Sequence, residues 1–279
     1  MSFSGREESR FFGKPVSLYL FQYGESASSY YGYTDAEHEI TFDGKVYQPV
    51  PIERGNITAS GTQDKITIDI SMPVDLPLSE LFRVYPPSQV VTLILRQGHV
   101  DDPDQQFLVC FSGRVLSSAR KKNESVFSCE PIATSLSRNG LRRNYQYGCP
   151  HVLYGTMCRA NKAAATTTIT PTAASGVTIT LPPAWATAAQ AQTYIGGMVQ
   201  WVTATGDTVL RTILQVTGTN VFVVSGPLAN YVAGSPVSMI KGCNHQMTDC
   251  SAVHSNIQNF GGQPWIPLKN PIGMRSQYY

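Results

Sequence analysis

FLVCFSGRVLSSARKKNESVFSCEPI, residues 107–132, decides the fold class. Its two ends are rich in Phe, Val, Leu and Cys but lack the i, i+3, i+4 spacing that a buried helix face needs. Lys121-Lys122-Asn123 separates them and reads as a solvated turn rather than a phosphate site, which leaves a strand on either side. Working outward, VVTLILRQG (90–98) and VSLYLFQY (16–23) are further aliphatic and aromatic strands. ITIDISM (66–72) alternates apolar and polar as a half-buried strand does. Asp43-Gly44 between EITF and KVYQPV predicts a two-residue hairpin, because Asp-Gly tolerates the positive φ of a type I′ turn. Pro49 and Pro51 place the return strand at its end or on a sheet edge. PLSELFRVY (77–85) predicts one short helix or turn, stopped by Pro86-Pro87. Residues 1–135 therefore read as an antiparallel β-barrel or sandwich with little helix. Cys110 and Cys129 fall inside strand patterns and read as small buried hydrophobes.

The chain changes character after that. Arg138, Arg142 and Arg143 lead into an aromatic-rich loop, and residues 159–242 carry only Arg159, Lys162, Asp207, Arg211 and Lys241 as charges. VTITL, MVQWVTA, VLRTILQVTG, NVFVVSG and PVSMI predict short strands, with turns at Gly206-Asp207 and Gly218-Thr219-Asn220. ATAAQAQTY (186–194) predicts a turn or two of helix. The stretch reads as a small inserted β-barrel or sandwich. Its Trp185, Tyr194, Trp201 and Tyr231 are barrel core on the simpler reading and a sugar platform on the other. NFGGQPWIPLKNPIGM (259–274) has no periodicity and predicts an extended segment on a surface.

Charged residues make up only 14% of the 279, against about 25% in an average soluble protein. A chain so poor in charge suits a subunit of a larger object. The net charge of +2 argues against a nucleic-acid binder. No window approaches the ~18 continuous apolar residues of a membrane span. The opening MSFSGREESRFF lacks the apolar middle of a secretory signal, so synthesis and folding are expected in a reducing cytoplasm. Cysteine clusters are read there as metal or catalytic sites before disulfides.

Four cysteines form two pairs, Cys149 with Cys158 in CPHVLYGTMC and Cys243 with Cys250 in CNHQMTDC. They bracket the inserted module, so residues 136–158 and 243–279 form one cysteine-cluster region. A thiolate tetrad suits Zn²⁺ or an iron–sulfur cluster. Structural zinc prefers C-x₂₋₄-C knuckles, and the wider loops here suit a larger object such as a cubane; zinc, disulfides and free thiols stay open. Cys149-Pro150 also echoes the end of a bacterial ferredoxin run. His151 and His245 could replace a cysteine in a mixed site or bond to backbone, and Asp249 faces solvent or caps a turn. A cysteine hydrolase pairing Cys158 with His254 is the rival chemistry, but no nucleophile motif surrounds any cysteine. No phosphate-binding, serine-hydrolase or zinc-protease motif is present, so no enzymatic activity is expected.

LYLFQYG, YTDAEHEITFDGKVYQPVPIERGNI, YGCPHVLYGTMC, GCNHQMTDC and NFGGQPWIP together resemble the tail-tip hub proteins of long-tailed, non-contractile bacteriophages and gene transfer agents. The resemblance covers most of the chain. It implies a [4Fe–4S] cluster on Cys149, Cys158, Cys243 and Cys250, and front β-barrels arranged as a pseudo-sixfold ring. It implies a homotrimer in the tail tip of the virion, between the distal tail protein ring and the central fibre or receptor-binding protein, with the tape-measure protein as a further neighbour. Gly234-Ser235 departs from the family's Gly-Asp at a turn, not at a ligand. The alternative is a zinc-stapled receptor- or glycan-binding tail protein.

Overall fold

The structure is a computed structural model that describes residues 3–24, 29–57, 67–83, 86–100, 102–137, 145–183, 185–204, 206–228 and 230–266. Arg138, Arg142, Arg143 and the tail beyond residue 266 lie outside them. The chain divides into two compact units, Met1–Asn139 and Gly140–Tyr279. Both are mainly β. No helix among the described residues is long and apolar enough to cross a membrane.

The first unit begins with a short helix α1 (Phe3–Glu7), followed by β1 (Pro15–Tyr23), β2 (Tyr30–Thr34), β3 (Ile40–Phe42), β4 (Lys45–Pro49), β5 (Glu53–Arg54) and β6 (Ile68–Pro73). Helix α2 (Pro77–Leu81) precedes β7 (Val91–His99), β8 (Leu108–Lys121) and β9 (Glu124–Pro131). One sheet runs β3-β4-β2-β1-β7-β8-β9-β6-β5. The continuous apolar run of β1 is explained by burial on both faces. Tyr19, Phe21 and Tyr23 join the main core with Phe127, Ile70, Leu78 and Leu93, while Leu18 and Leu20 pack with Tyr47 in a second cluster. Phe21 and Phe127 are fully buried with ring centroids 6.3 Å apart, and each contributes about 1.5–3 kcal/mol through burial. Asp43 (φ 52) and Gly44 (φ 67) make the expected hairpin turn between β3 and β4. Lys122 (φ 55) turns β8 into β9.

Two expectations are corrected and one is narrowed. The sheet is not wholly antiparallel: β2 and β4 pair in parallel, Tyr33 with Gln48 and Thr34 with Pro49. The strand order has two ends, so pairing does not close the sheet into a barrel among the described residues. Cys129 is buried, but Cys110 is exposed. The cause is the period of two: β8 turns Phe111 toward the core opposite Leu95, so its neighbour Cys110 faces out.

In the second unit β10 (Thr166–Ile169), β11 (Ala173–Ser175), β12 (Thr178–Thr180), β13 (Met198–Val202), β14 (Thr208–Thr217), β15 (Val221–Val224) and β16 (Val237–Ile240) form a sheet ordered β10-β16-β13-β14-β15-β12-β11. Among the described residues the strand order of this sheet also has two ends. The Thr-rich β10 and the Ala-Ala-Ser of β11 carry no apolar alternation and were not legible as strands. Helix α3 (Ala188–Gln192) starts at a capping box, Thr187 with Gln190. Trp201 (1% exposed), Tyr194 and Phe222 fill the core. Trp185 packs against Tyr194 and Phe222 and donates its indole N–H to the Thr219 carbonyl at 2.6 Å. These aromatics are core rather than a sugar platform. Helix α4 (Met247–Ala252) and a 3₁₀ turn (Ile257–Asn259) end the described structure of this unit.

Candidate metal centre

Cys149 and Cys158 lie on a loop of turns between residues 145 and 165, in which Tyr154 (φ 60) and Arg159 (φ 57) take left-handed backbone. Cys243 follows β16, and Cys250 sits in α4. The two segments are stitched together by main-chain and side-chain bonds. Cys149 N–H donates to His245 O at 2.8 Å, and His245 Nδ1 bonds back to Cys149 O at 2.9 Å. Tyr154 donates its hydroxyl to Lys241 O at 2.6 Å. Asn256 Nδ2 donates to Cys158 O at 2.6 Å. Gln263 N–H donates to Gln146 O at 2.9 Å, so the segment at 261–266 lies along the first loop.

The Gly-Gly of the NFGG stretch has a steric cause. A Cβ at Gly262 would stand 2.5 Å from Tyr147 O, and one at Gly261 would stand 2.5 Å from the His151 ring. Only glycine permits that approach.

All four cysteines line one narrow cavity of ≈ 10 Å³, together with His151, His245 and His254, room for about one water. Among the described residues, no three of the His, Cys, Asp and Glu side chains stand in an arrangement that would hold a metal ion. The iron–sulfur junction expected as part of the fold is therefore not shown. What the fold supplies is four thiols around a shared space. Three of the sulfurs accept N–H donors: Cys243 from His245 N–H at 3.3 Å, Cys149 from Gly261 N–H at 3.4 Å and Cys158 from Asn256 Nδ2 at 3.8 Å. Cys250 instead donates its thiol to Asn256 O at 3.2 Å.

Burial pushes the Cys243 thiol up, opposed by the His245 N–H and reinforced by Asp249, Cys149 and Cys158. Cys250 is raised by burial, then by Cys243, Cys149 and Cys158. Tyr154 is raised by burial and by Cys158 and Cys243. Thiols this close resist ionising together until a cation joins them.

The histidines are tied to backbone. His151 Nδ1 bonds Asn259 O at 3.1 Å, and His254 Nε2 bonds Gly242 O at 2.8 Å. His254 Nε2 is thus committed to a main-chain carbonyl, and its ring stands edge-on to Tyr154. Asp249 caps a turn by accepting Asn244 N–H at 3.0 Å. Asn256 and Tyr154 were missed in the sequence, because neither residue type signals a partner so far along the chain.

The family model for the baseplate hub protein, N-terminal attachment domain, matches residues 20–161, half of the chain, and takes in Cys149 and Cys158. The chain belongs to the baseplate hub protein family. A second family model, phage conserved hypothetical protein BR0599, matches residues 192–270 of this hub chain and takes in Cys243 and Cys250. An uncharacterized protein of Xylella fastidiosa (strain 9a5c) is 27% identical over 170 residues, 57% of the hub chain and 35% of that protein. The match thus spans about a third of the curated relative's length. A chain from the virion of a native gene transfer agent particle has the same fold, with a TM-score of 0.74 at 19% identity, covering 96% of the hub chain and 93% of that chain.

Proposed function

We propose that this chain is a structural subunit of the virion at the tip of a long, non-contractile phage-type tail, stapled by a [4Fe–4S] cluster on Cys149, Cys158, Cys243 and Cys250. The role rests on the hub attachment domain and on the likeness to a gene transfer agent virion chain. It is a homotrimer between the distal tail ring and the central fibre or receptor-binding protein, with the tape-measure protein as a further neighbour. It carries out no reaction.

One observation carries the staple: cysteines from two distant pairs line the same cavity. The residues fit the group. The donors are all thiols, and N–H groups aim at three of the sulfurs, the pattern that supports thiolate ligands. The cavity volume alone would suit a single ion. That volume is only what these side chains leave between them, so it does not by itself choose between an ion and a cluster. When bound, the cluster supplies iron–thiolate cross-links, whose binding free energy adds to folding. The chain's own part is to hold the first loop against both ends of α4, through Cys149 with His245 and Cys158 with Asn256, before any metal arrives.

A second reading has zinc held by a mixture of cysteine and histidine. It is favoured by the Nδ1 bonds of His151 and His245 to carbonyls, the usual tether of a zinc-bound histidine. Anaerobic purification followed by iron, sulfide and zinc analysis separates the two. Iron with sulfide and a broad visible absorbance is expected; colourless protein with stoichiometric zinc would sink the cluster.

A further inference from the structure

We propose that Asn256 is the positioning residue of this centre, a role that rests on the metal-staple reading above. The residue is nine-tenths buried, and its side chain and main chain between them bond to both cysteine pairs. The amide nitrogen donates to Cys158 O at 2.6 Å and to Cys158 Sγ at 3.8 Å. The Asn256 main chain donates its N–H to Cys250 O at 2.8 Å and accepts the Cys250 thiol at 3.2 Å. The amide cannot turn over freely, because Asn259 Nδ2 donates to Asn256 Oδ1 at 2.7 Å. The nitrogen end is thereby held toward Cys158, where it stabilises negative charge on sulfur. Asn259 is fixed in turn by its own N–H to Asn256 O and by His151 on its carbonyl. Outer-shell bonds of this kind orient ligands and tune the metal.

The full chain is purified anaerobically as wild type, Asn256→Asp and Asn259→Asp. The first substitution replaces the donor with a carboxylate of the same shape. The second replaces the donor to Oδ1 with a carboxylate, so the Asn256 amide loses the bond that fixes its nitrogen toward Cys158; it lies nearer the surface and keeps the test valid if the first variant does not fold. Bound metal is challenged with EDTA. Both variants should lose metal at chelator concentrations that correspond to an affinity about 10–100-fold weaker, and where iron is bound the reduction potential should fall as the sulfur loses its N–H donor. A variant that melts lower but matches wild type in metal retention and potential has lost only packing, and overturns the positioning role while sparing the staple. Wild-type protein that binds neither iron nor zinc overturns the staple and this inference together.

Discussion

Cys149 and His245, 96 residues apart, exchange two hydrogen bonds, the cysteine N–H to the histidine carbonyl and the histidine Nδ1 to the cysteine carbonyl. The two loops are thus paired through groups that no metal uses. Because a carbonyl accepts at Nδ1, the proton sits on that nitrogen in this arrangement. His245→Ala removes one bond of the two and should lower the stability of metal-free protein by about 1 kcal/mol. Urea unfolding in the presence of chelator measures it. An unchanged midpoint would show that the side-chain bond contributes nothing to the pairing.

Cys158→Ser and Cys243→Ser each remove one thiol from the cavity, and serine is a poor ligand for iron or zinc. Both should emerge with little metal and fold poorly, and tails carrying them should be blocked at the tip. Cys110→Ser is the control, since Cys110 is exposed on β8, and it should retain metal at the wild-type level. Normal titres of infectious particles from both cavity variants would show that the staple is dispensable.

The first unit carries its own pH dependence. Cys129 is pushed up to about 12 by burial and by the Asp69 carboxylate, while an unfolded cysteine ionises near ~8.5. The folded value lies above the unfolded one, so the contribution is complete below the unfolded value and is lost as pH rises toward 12. Its size is on the order of 5 kcal/mol. Tyr19, Tyr33 and Tyr47 are raised by burial and add loss of the same sign. Comparing urea midpoints of wild type and Cys129→Ala at pH 8 and pH 10.5 isolates the cysteine: the fall should be smaller in the variant. Equal falls would assign the whole effect to the tyrosines.

The residues differ in how far they declared these arrangements. Asp43-Gly44 announced its turn because positive φ at two successive positions admits few residue types. The unbroken apolar run of β1 announced a strand, but not that two separate clusters bury it. Cys110 misled because β8 is apolar on both sides of its pleat, so composition alone did not say which face is inside. The parallel β2–β4 pair and the open sheet edges depend on strand pairing over long separations, for which a single chain gives no local signal. The cysteine pairs were legible as a set because thiols at fixed spacing have few uses. Asn256 was not, since its partners lie in another segment and an Asn after a helix reads as an ordinary turn residue.

Trp265 is 89% exposed, whereas Trp201 is 1% exposed. Among the described residues, then, nothing covers the tail tryptophan. Tyr145 and Val152, each 78% exposed, leave further apolar surface on the first cysteine loop. Exposed aromatic surface of this kind marks interfaces. In isolated protein iodide should quench Trp265, and Trp265→Phe should remove most of the quenchable emission without changing the melt. In the assembled tip the quenching should disappear. An indole that stays quenchable there would exclude Trp265 from any subunit contact.

The ends of the inserted module meet, because Lys241 N–H donates to Ala165 O at 3.1 Å while Lys241 O accepts the Tyr154 hydroxyl. A short Gly-Ser linker can therefore replace residues 166–240 without separating the cysteine loops. The deletion also removes the bond from Gly242 N–H to Thr193 O, a loss of about 1 kcal/mol beside the whole core around Trp201. The shortened chain should still take up metal, since no residue of the removed stretch lines the cysteine cavity. Particles carrying it should fail to form tails, as expected of an architectural module whose aromatics are committed to its own core. Intact tails that no longer adsorb would instead make the module the receptor-binding part, and would move the reading of the chain from architecture toward recognition.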